Sequence, residues 1–318
     1  MDWRQPKVYA VRHKNEGTRA ASQSGGIFTA ISDWVLGNHG VVYGCVLTKN
    51  FGAAHIRAGC IEERNRMRGS KYIQSSLGNT FKSVKDDLLN KKTVLFTGTS
   101  CQVAGLKRFL KNEYDNLICM DIICHGVPSP KVWSAYLKWQ EKHYDALVND
   151  VVFRNKKDFG WHGHIETVVF GNGKKVSSEI FKNIFYGHMA LRPSCYVCPF
   201  KSTMHPGDIT IGDYWGIEKA APEFDDNKGV SLVLINSNVG AYVFNAIKSD
   251  INWKETRMED SMQTPLQESF PRPVGREAFW DDFSHKSFGY IARKYGGNGT
   301  VTKLRRRLGK IKRKLVKR

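Results

Sequence analysis

Residues Thr93–Gln102 read Thr-Val-Leu-Phe-Thr-Gly-Thr-Ser-Cys-Gln, and this stretch decides the fold class. A run with strand character leads into a glycine turn, and a helix is predicted from there to about Leu110. A strand, a tight turn and a helix in this order are typical of doubly wound sheets, in which functional groups lie beyond the carboxyl ends of the strands. The stretch therefore predicts a parallel sheet with Cys101 at its functional edge.

A second unit of the same kind follows along the chain. Asn116–Ile123 predicts a strand that is followed directly by Cys124, and Ser129 with Pro130 predicts the start of a helix. Because neighbouring parallel strands end at the same edge of a sheet, we expect Cys101 and Cys124 to lie close together.

The remaining elements indicate an α/β (mixed α+β) fold with a parallel-type sheet core and an added antiparallel section. Gly171-Asn172-Gly173 predicts a turn between two strands of that section. Ile27–Leu36, Leu77–Leu88 and Val239–Lys248 have the spacing of helices. Strands are predicted at Lys7–Arg12, Gly40–Leu47, Ala53–Gly59, Val151–Phe153, Ile165–Phe170, Lys174–Ile180 and Gly229–Asn236.

The chain is long enough for one large or two moderate domains. We expect an N-terminal subdomain of the core over residues 1–90 and a C-terminal domain over 91–250. Residues 251–300 contain Pro265, Pro271 and Pro273, show no clear periodicity and predict an irregular extension. Residues 301–318 form a separate basic tail.

Composition limits the location of the protein. No apolar run approaches the ~20 residues of a membrane helix, and the N-terminus lacks the apolar core of a signal peptide. We therefore expect a cytoplasmic protein, in which the seven cysteines favour metal or redox roles over structural disulfides. The tail carries ten Lys and Arg and no acid, about half of the net charge of +19.

Arg192–Lys201 contains a second cysteine signal, Cys195 and Cys198 closed by Pro199. The pair fits half of a zinc site, half of an iron–sulfur site, or a redox dithiol. A redox dithiol usually lies at the start of a helix, whereas this pair follows the short helix that is predicted at Phe181–Leu191. A zinc ribbon would have a second local Cys-x-x-Cys, which the sequence lacks. Four thiolates with Cys101 and Cys124 suit a cluster better, although the spacing leaves the metal open.

The other motifs have ordinary alternatives. Ser24-Gly25-Gly26 opens a predicted helix, and backbone N–H groups there suit a phosphate, although a plain helix cap fits as well. Cys45 and Cys119 lie inside apolar strands and are interpreted as core residues, whereas Cys60 is undecided. His125, beside Cys124, is a candidate proton donor near a redox centre.

These motifs together resemble the coenzyme F420 hydrogenase/dehydrogenase beta-subunit family. The resemblance spans roughly residues 7–240 and consists of several long motifs in the same order. The matching segments are Ser24–Phe28, Arg68–Ser75, Phe96–Leu106, Asp121–Ser129, Arg192–Cys198, Asp208–Trp215 and Lys228–Ser231.

The resemblance implies an oxidoreductase that binds FAD and a 4Fe–4S cluster and exchanges electrons with coenzyme F420 or another small acceptor. Cys101, Cys124, Cys195 and Cys198 match the cysteines that are expected as cluster ligands. The implied flavin contacts are Ser24, Gly25, Gly26, Gly69, Ser70, Lys71, Gly98 and Thr99, whose Gly/Ser loops let backbone donors approach a pyrophosphate.

Further expectations follow from the same resemblance. Lys71 would counter phosphate charge or the reduced flavin, and so is a catalytic candidate with His125. Many relatives carry an N-terminal ferredoxin-like module that has no counterpart in this sequence, so a separate protein or the substrate would supply the electrons. Short bacterial relatives are associated with polysaccharide synthesis. The alternatives are a zinc-stabilised flavin reductase and a non-catalytic electron-transfer or scaffold subunit.

The basic tail lies outside the resemblance. Val301, Leu304, Leu308, Ile311 and Leu315 recur every three or four residues, with basic residues on the other faces. Such a helix suits an anionic membrane surface or an acidic partner, and a solvated terminus is the plain alternative. Nucleic acid is disfavoured because no aromatic residues alternate with the charges.

Overall fold

The structure is a computed structural model that describes residues 5–299. Its strands are β1 (Lys7–His13), β2 (Val41–Leu47), β3 (Ala53–Ala58), β4 (Ser75–Ser76), β5 (Val94–Thr99), β6 (Leu117–Ile122), β7 (Val148–Val152), β8 (Glu166–Phe170), β9 (Lys175–Ser178), β10 (Ile209–Asp213), β11 (Ser231–Ile235) and β12 (Ile251–Thr256). Its α-helices are α1 (Glu16–Ala20), α2 (Ile27–Gly37), α3 (Ile61–Asn65), α4 (Thr80–Leu89), α5 (Ser100–Leu110), α6 (Pro130–Tyr144), α7 (Lys156–Phe159), α8 (Ile180–Tyr186), α9 (Ile217–Ala220), α10 (Asn238–Ala246), α11 (Arg276–His285) and α12 (Phe288–Lys294).

The main sheet has nine strands in the order β12-β1-β11-β10-β6-β5-β2-β3-β4. Its centre, β10-β6-β5-β2, is parallel, and antiparallel pairings flank it on both sides. β7, β8 and β9 form a separate antiparallel sheet. The predicted α/β class with an added antiparallel section is therefore confirmed.

Helices cover both faces of the main sheet. The residues of its central strands therefore alternate between two cores. Leu95 of β5 packs in the core that contains residues of α2 and α10. Val94 and Phe96 pack in the core that contains residues of α4 and α5. This alternation, with both sets buried, is the pattern of a strand covered on both sides.

Local sequence accounts for the two helices that follow the central strands. Thr99 and Gln102 form a capping box at the start of α5, which places the helix directly after β5. Ser129 caps α6 by accepting from the backbone N–H of Lys131, with Pro130 in the first turn. Both predicted helix starts are thus observed.

The antiparallel section packs on α6 through aromatic side chains. Trp133 and Tyr136 of α6 are buried with Phe153, Phe170 and Phe181. Gly173 has a φ of 82°, which the turn between β8 and β9 requires and which glycine adopts without strain.

Residues 251–299 are more regular than their sequence suggests. β12 pairs with β1 along the edge of the main sheet, and α11 and α12 contribute Phe279 and Ile291 to the core of the antiparallel section. β12 escaped prediction because most of its residues are exposed, as suits an edge strand. The division of the chain into domains stays a prediction.

Two other expectations concern the membrane. Among residues 5–299, no helix has both the length and the apolar character needed to span a bilayer. The basic tail at 301–318 lies outside the described residues.

Candidate functional site

The predicted motifs meet at the carboxyl edge of the main sheet. β2, β5, β6 and β10 are parallel, so their carboxyl ends share this edge. β1 runs the same way, because two antiparallel pairings separate it from β10. The edge thus receives the segments that follow β1, β5 and β6, including both strand-end cysteines.

Cys101 and Cys124 lie at this edge as predicted. Cys101 is the exposed second residue of α5, and its Sγ lies 3.1 Å from the Thr99 Oγ1. Cys124 follows β6, and the Lys201 ammonium donates to its backbone carbonyl. Burial raises the pKa of Cys124 to about 12, with smaller contributions from Cys101 and Cys195. These contributions to the pKa of Cys124 indicate that Cys101 and Cys195 lie near it.

The chain brings Cys195 and Cys198 to the same place through a contact between two loops. Pro128 and Leu191 form an isolated β-bridge, and the Arg192 N–H donates to the Val127 carbonyl at 2.9 Å. The loop after Cys124 is therefore paired with the segment that leads into the second cysteine pair.

The two cysteines of this pair have different surroundings. Burial raises the pKa of Cys195, and the thiols of Cys101 and Cys198 raise it further. The backbone of Cys198 exchanges two hydrogen bonds with the Ser269 hydroxyl, at 3.0 and 3.2 Å. Cys195 therefore lies near Cys101 and Cys124 as well as near Cys198.

The donor set fits a four-thiolate centre in its chemistry. All seven cysteines are free, and four of them converge from three separate segments. Within residues 5–299, no group of three or more His, Cys, Asp or Glu side chains is arranged to hold a metal ion. The thiols are thus neighbours without forming a closed coordination shell.

The Ser24-Gly25-Gly26 turn is tied to the start of β11. The Ser24 hydroxyl donates to the Val230 carbonyl at 2.6 Å, and the Gly25 N–H donates to the Ser231 hydroxyl at 3.0 Å. Gly26 is the N-cap of α2 with a φ of 97° and makes no side-chain cap. The first turn of α2 therefore keeps backbone N–H groups available for an anion.

Arginines lie beside this helix start. A Cβ at Gly26 would lie 2.9 Å from the Cβ of His13. Burial is the main cause that lowers the pKa of His13. The carboxylates of Asp250 and Asp33 raise it, whereas the charges of Arg68 and Arg64 lower it. Arg64 is buried and paired with Asp33, whereas the buried Nε of Arg68 has no partner among the described residues. Cationic groups next to a helix N-terminus suit a phosphate-bearing cofactor.

Lys71 stabilises its own loop through hydrogen bonds. Its ammonium donates to the four carbonyls of residues 66–69 at 2.8 to 3.3 Å. Burial lowers its pKa to about 8. Gly69 has a φ of 78° with open space around it, and the Ser70 side chain interacts with the Tyr72 hydroxyl. Lys71 therefore shapes the loop that presents Gly69 and Ser70.

Gly98 and Thr99 connect two of the predicted motifs. Gln102 accepts from the Thr99 N–H at 2.9 Å and donates to the Ser75 hydroxyl at the same distance. A Cβ at Gly98 would lie 3.0 Å from the Gln102 Oε1. The end of β5, which contains Gly98 and Thr99, and the start of β4 at Ser75 are thereby held together. The glycine turn predicted here is therefore wrong.

His125 is partly buried in an aromatic environment beside Cys124. Its Nε2 lies 2.7 Å from the Nε2 of His188, and the ring of Phe270 packs on it with centroids 4.0 Å apart. Burial lowers the pKa of His125 to about 3, and His188 and Lys201 add to this effect. At neutral pH the imidazole is therefore uncharged and shares one hydrogen with His188.

Sequence reasoning missed several residues that support the site. Lys201 could have been predicted as a neighbour of the cysteines, because it lies three residues after Cys198. Nothing in the sequence points to Ser269, since it comes from the segment without periodicity. Beneath α5, the buried His205 Nδ1 lies 3.1 Å from both the Asp121 carboxylate and the Ser100 hydroxyl. Only the fold brings these three segments together.

The comparisons agree with this architecture. A family model that describes the C terminus of the "Coenzyme F420 hydrogenase/dehydrogenase, beta subunit" matches residues 91–261. A chain of the F420-reducing [NiFe] hydrogenase complex from Methanosarcina barkeri, solved as a xenon derivative, is similar in structure. Its TM-score is 0.55 at 17% identity, over 80% of this chain and 84% of that chain. At this identity the likeness shows the fold alone. No curated protein matches the sequence.

Proposed function

The chain belongs to the coenzyme F420 hydrogenase/dehydrogenase beta-subunit family, and we propose that it is an oxidoreductase that uses FAD and a 4Fe–4S cluster. The family supports a redox role. The Methanosarcina relative is part of a hydrogenase complex, which supports electron exchange with a protein partner. A small redox substrate, coenzyme F420 or another acceptor, completes the proposal.

One observation supports the cluster above all others, namely the approach of four free cysteines to one edge of the main sheet. A Cβ at Gly126, two residues after Cys124, would lie 3.6 Å from the Cβ of Cys195. Cys101 and Cys195 both raise the pKa of Cys124, and Cys198 raises that of Cys195. Cysteine thiolates are the ligands that iron–sulfur clusters use in proteins. Cys119, by contrast, lies inside β6 and does not take part.

The residues of the chain would hold and shape this centre. Lys201 and Ser269 fix the backbones of Cys124 and Cys198, and Thr99 contacts the Cys101 thiol. When bound, FAD would supply two-electron chemistry toward the small substrate and the cluster single electrons toward the partner.

For the flavin we propose the turn at Ser24-Gly25-Gly26, the loop of Gly69, Ser70 and Lys71, and the end of β5 at Gly98 and Thr99. The available N–H groups of α2 and the Nε of Arg68, which has no partner among the described residues, support a phosphate there. We keep His125 and Lys71 as catalytic candidates. His125 would exchange a proton through its hydrogen bond with His188.

The test is anaerobic purification with iron, sulfide, zinc and flavin analysis. We expect about four irons per chain, broad absorbance near ~400 nm, and loss of both in Cys195→Ser. Cys119→Ser is the matched control and should keep the iron.

Two outcomes would favour the alternatives. Zinc without iron contradicts the cluster and favours a zinc-stabilised flavin reductase. Iron and flavin without turnover, until a partner protein is added, favour an electron-transfer subunit. A cytoplasmic location and a contact of the tail with anionic membrane also stay proposals. If liposome binding survives deletion of residues 301–318, the membrane contact through the tail is wrong.

A further inference from the structure

A cleft of about 410 Å³ opens on the outer side of the Cys195–Cys198 segment. Pockets for small ligands usually have volumes of ~300–1,000 Å³, so this cleft has room for a small molecule. None of the residues assigned to the flavin or the cluster lines it. Its lining residues are Pro193, Tyr196, Val197, Arg272 and Arg276.

Arg276 is the central feature of the cleft because it is a buried cation for which the described residues provide no counter-charge. Its side chain is only 7% exposed, and among the described residues it forms no ion pair. Burying an unpaired charge is costly, so a negative group next to this guanidinium would be stabilising.

The guanidinium of Arg276 is also held in place. Its Nη1 donates to the Met189 carbonyl and, at 3.2 Å, to the Tyr196 hydroxyl. Its central carbon lies 5.3 Å from the Tyr196 ring and 5.4 Å from the Trp280 ring. Both hydrogen bonds to described residues come from Nη1, which leaves the donors on Nε and Nη2 for a ligand.

Arg272 provides a second cation that a ligand can recruit. It pairs with Glu277, and the two side chains are 62% and 66% exposed. Such exposed pairs contribute little to stability, so a bound anion can replace the Glu277 carboxylate at little cost.

The remaining lining residues of the cleft offer apolar surface. Val197, 79% exposed, lines it together with Pro193 and Tyr196. A ligand with an apolar body and one anionic group would match both the arginines and this apolar lining.

We propose that this cleft binds a small organic oxyanion, with its carboxylate or phosphate between Arg272 and Arg276 and its apolar body against Val197. The site lies within one residue of each cysteine of the Cys195–Cys198 pair. The inference does not rest on the proposed function, because binding can be measured without turnover and with or without iron.

The test is calorimetric titration of the full chain with phenyl phosphate, benzoate and the neutral benzyl alcohol. We expect one of the two anions to bind and the alcohol to bind at least tenfold more weakly, since a charge-assisted hydrogen bond contributes ~1.5–3 kcal/mol and 1.4 kcal/mol is tenfold. The preferred anion distinguishes a phosphate ligand from a carboxylate ligand.

Variants locate the site. Arg272→Gln should weaken binding about tenfold, and Glu277→Gln should strengthen it by freeing Arg272. Arg257→Gln is the matched control, because Arg257 is an exposed arginine paired with Asp260 in the same way, and binding should not change. Arg276→Lys, checked by thermal unfolding, keeps the charge but loses the planar donor and should also weaken binding.

Three results would overturn the proposal. The first is equal binding of benzyl alcohol, which would make the cleft merely apolar. The second is unchanged anion binding in both Arg272→Gln and Glu277→Gln. The third is binding of a glutamate-rich peptide but of neither small anion, which would make the cleft a docking point for an acidic protein.

Discussion

Cysteines in the interior of the main sheet and at its carboxyl edge have different surroundings. Cys119, inside β6, is fully buried among apolar side chains, and burial is the main cause that raises its pKa to about 12. Cys124, two residues beyond the same strand, has an equally raised pKa, but there two other thiols contribute. Burial therefore does not distinguish a candidate ligand from a core cysteine. The presence of other thiols near it, contributed by distant segments, distinguishes the two.

The two regions are also stabilised by different interactions. The interior is held by apolar packing of residues such as Leu95 and Phe96. The edge is held by polar contacts, including a buried ion pair between Arg154 and Asp213 at the end of β10. Trp161 joins this pair, accepting from Arg154 at 2.7 Å and donating to Asp213 at 2.9 Å.

The largest effect is expected when this edge contact is broken. Arg154→Met leaves the Asp213 carboxylate, which is 15% exposed, without its cation. Removing one partner of a buried pair costs ~3–5 kcal/mol of unfolding free energy. Urea denaturation measures the change. Lys254→Met, which breaks the exposed pair with Glu223, should lower the unfolding free energy far less. Equal losses in the two variants would contradict the importance of the buried edge contact.

A smaller effect is expected from crowding the edge. A Cβ at Gly25 would lie 2.1 Å from the Val11 carbonyl oxygen and 2.6 Å from the Ser231 nitrogen. Gly25→Ala should therefore destabilise the fold by ~1–3 kcal/mol. Gly37, at the other end of α2, has nothing within 4 Å of the position that a methyl group would take, so Gly37→Ala should be neutral or stabilise by ~0.4–1 kcal/mol. Thermal unfolding compares the two, and similar melting temperatures would show that the turn at Gly25 yields freely.

An effect of similar size separates the two classes of cysteine by stability alone. Cys119→Ser places a hydroxyl in an apolar core and should cost ~1–3 kcal/mol. Cys101→Ser changes an exposed side chain and should alter metal-free stability by no more than ~0.5 kcal/mol. Both are measured by denaturation of iron-free protein. A larger loss in Cys101→Ser would contradict the contrast between interior and edge.

Much of the fold follows from local patterns. The strand and the helix at Thr93–Gln102, the strand before Cys124 and the cap at Ser129 are predicted correctly, because periodicity and capping act over a few residues. The predicted glycine turn before α5 is wrong, since Gly98 and Thr99 lie within β5 and pair with Asp121 and Ile122 of β6. The proximity of Cys101 and Cys124 follows as well, since parallel neighbours share an edge. β12 escapes prediction because an exposed edge strand has no alternating apolar pattern.

The rest depends on contacts between distant segments. The sequence by itself determined the α/β class, the strand-end cysteines and the family motifs, because each is carried by a short stretch. Only the tertiary structure decided how Cys195 and Cys198 approach them, through the bridge of Pro128 with Leu191, and that the Lys71 ammonium bonds the carbonyls of its own loop. It alone placed Arg276 beside Tyr196, with no counter-charge among the described residues. These features arise from packing between segments, and no local propensity encodes which distant side chains will meet.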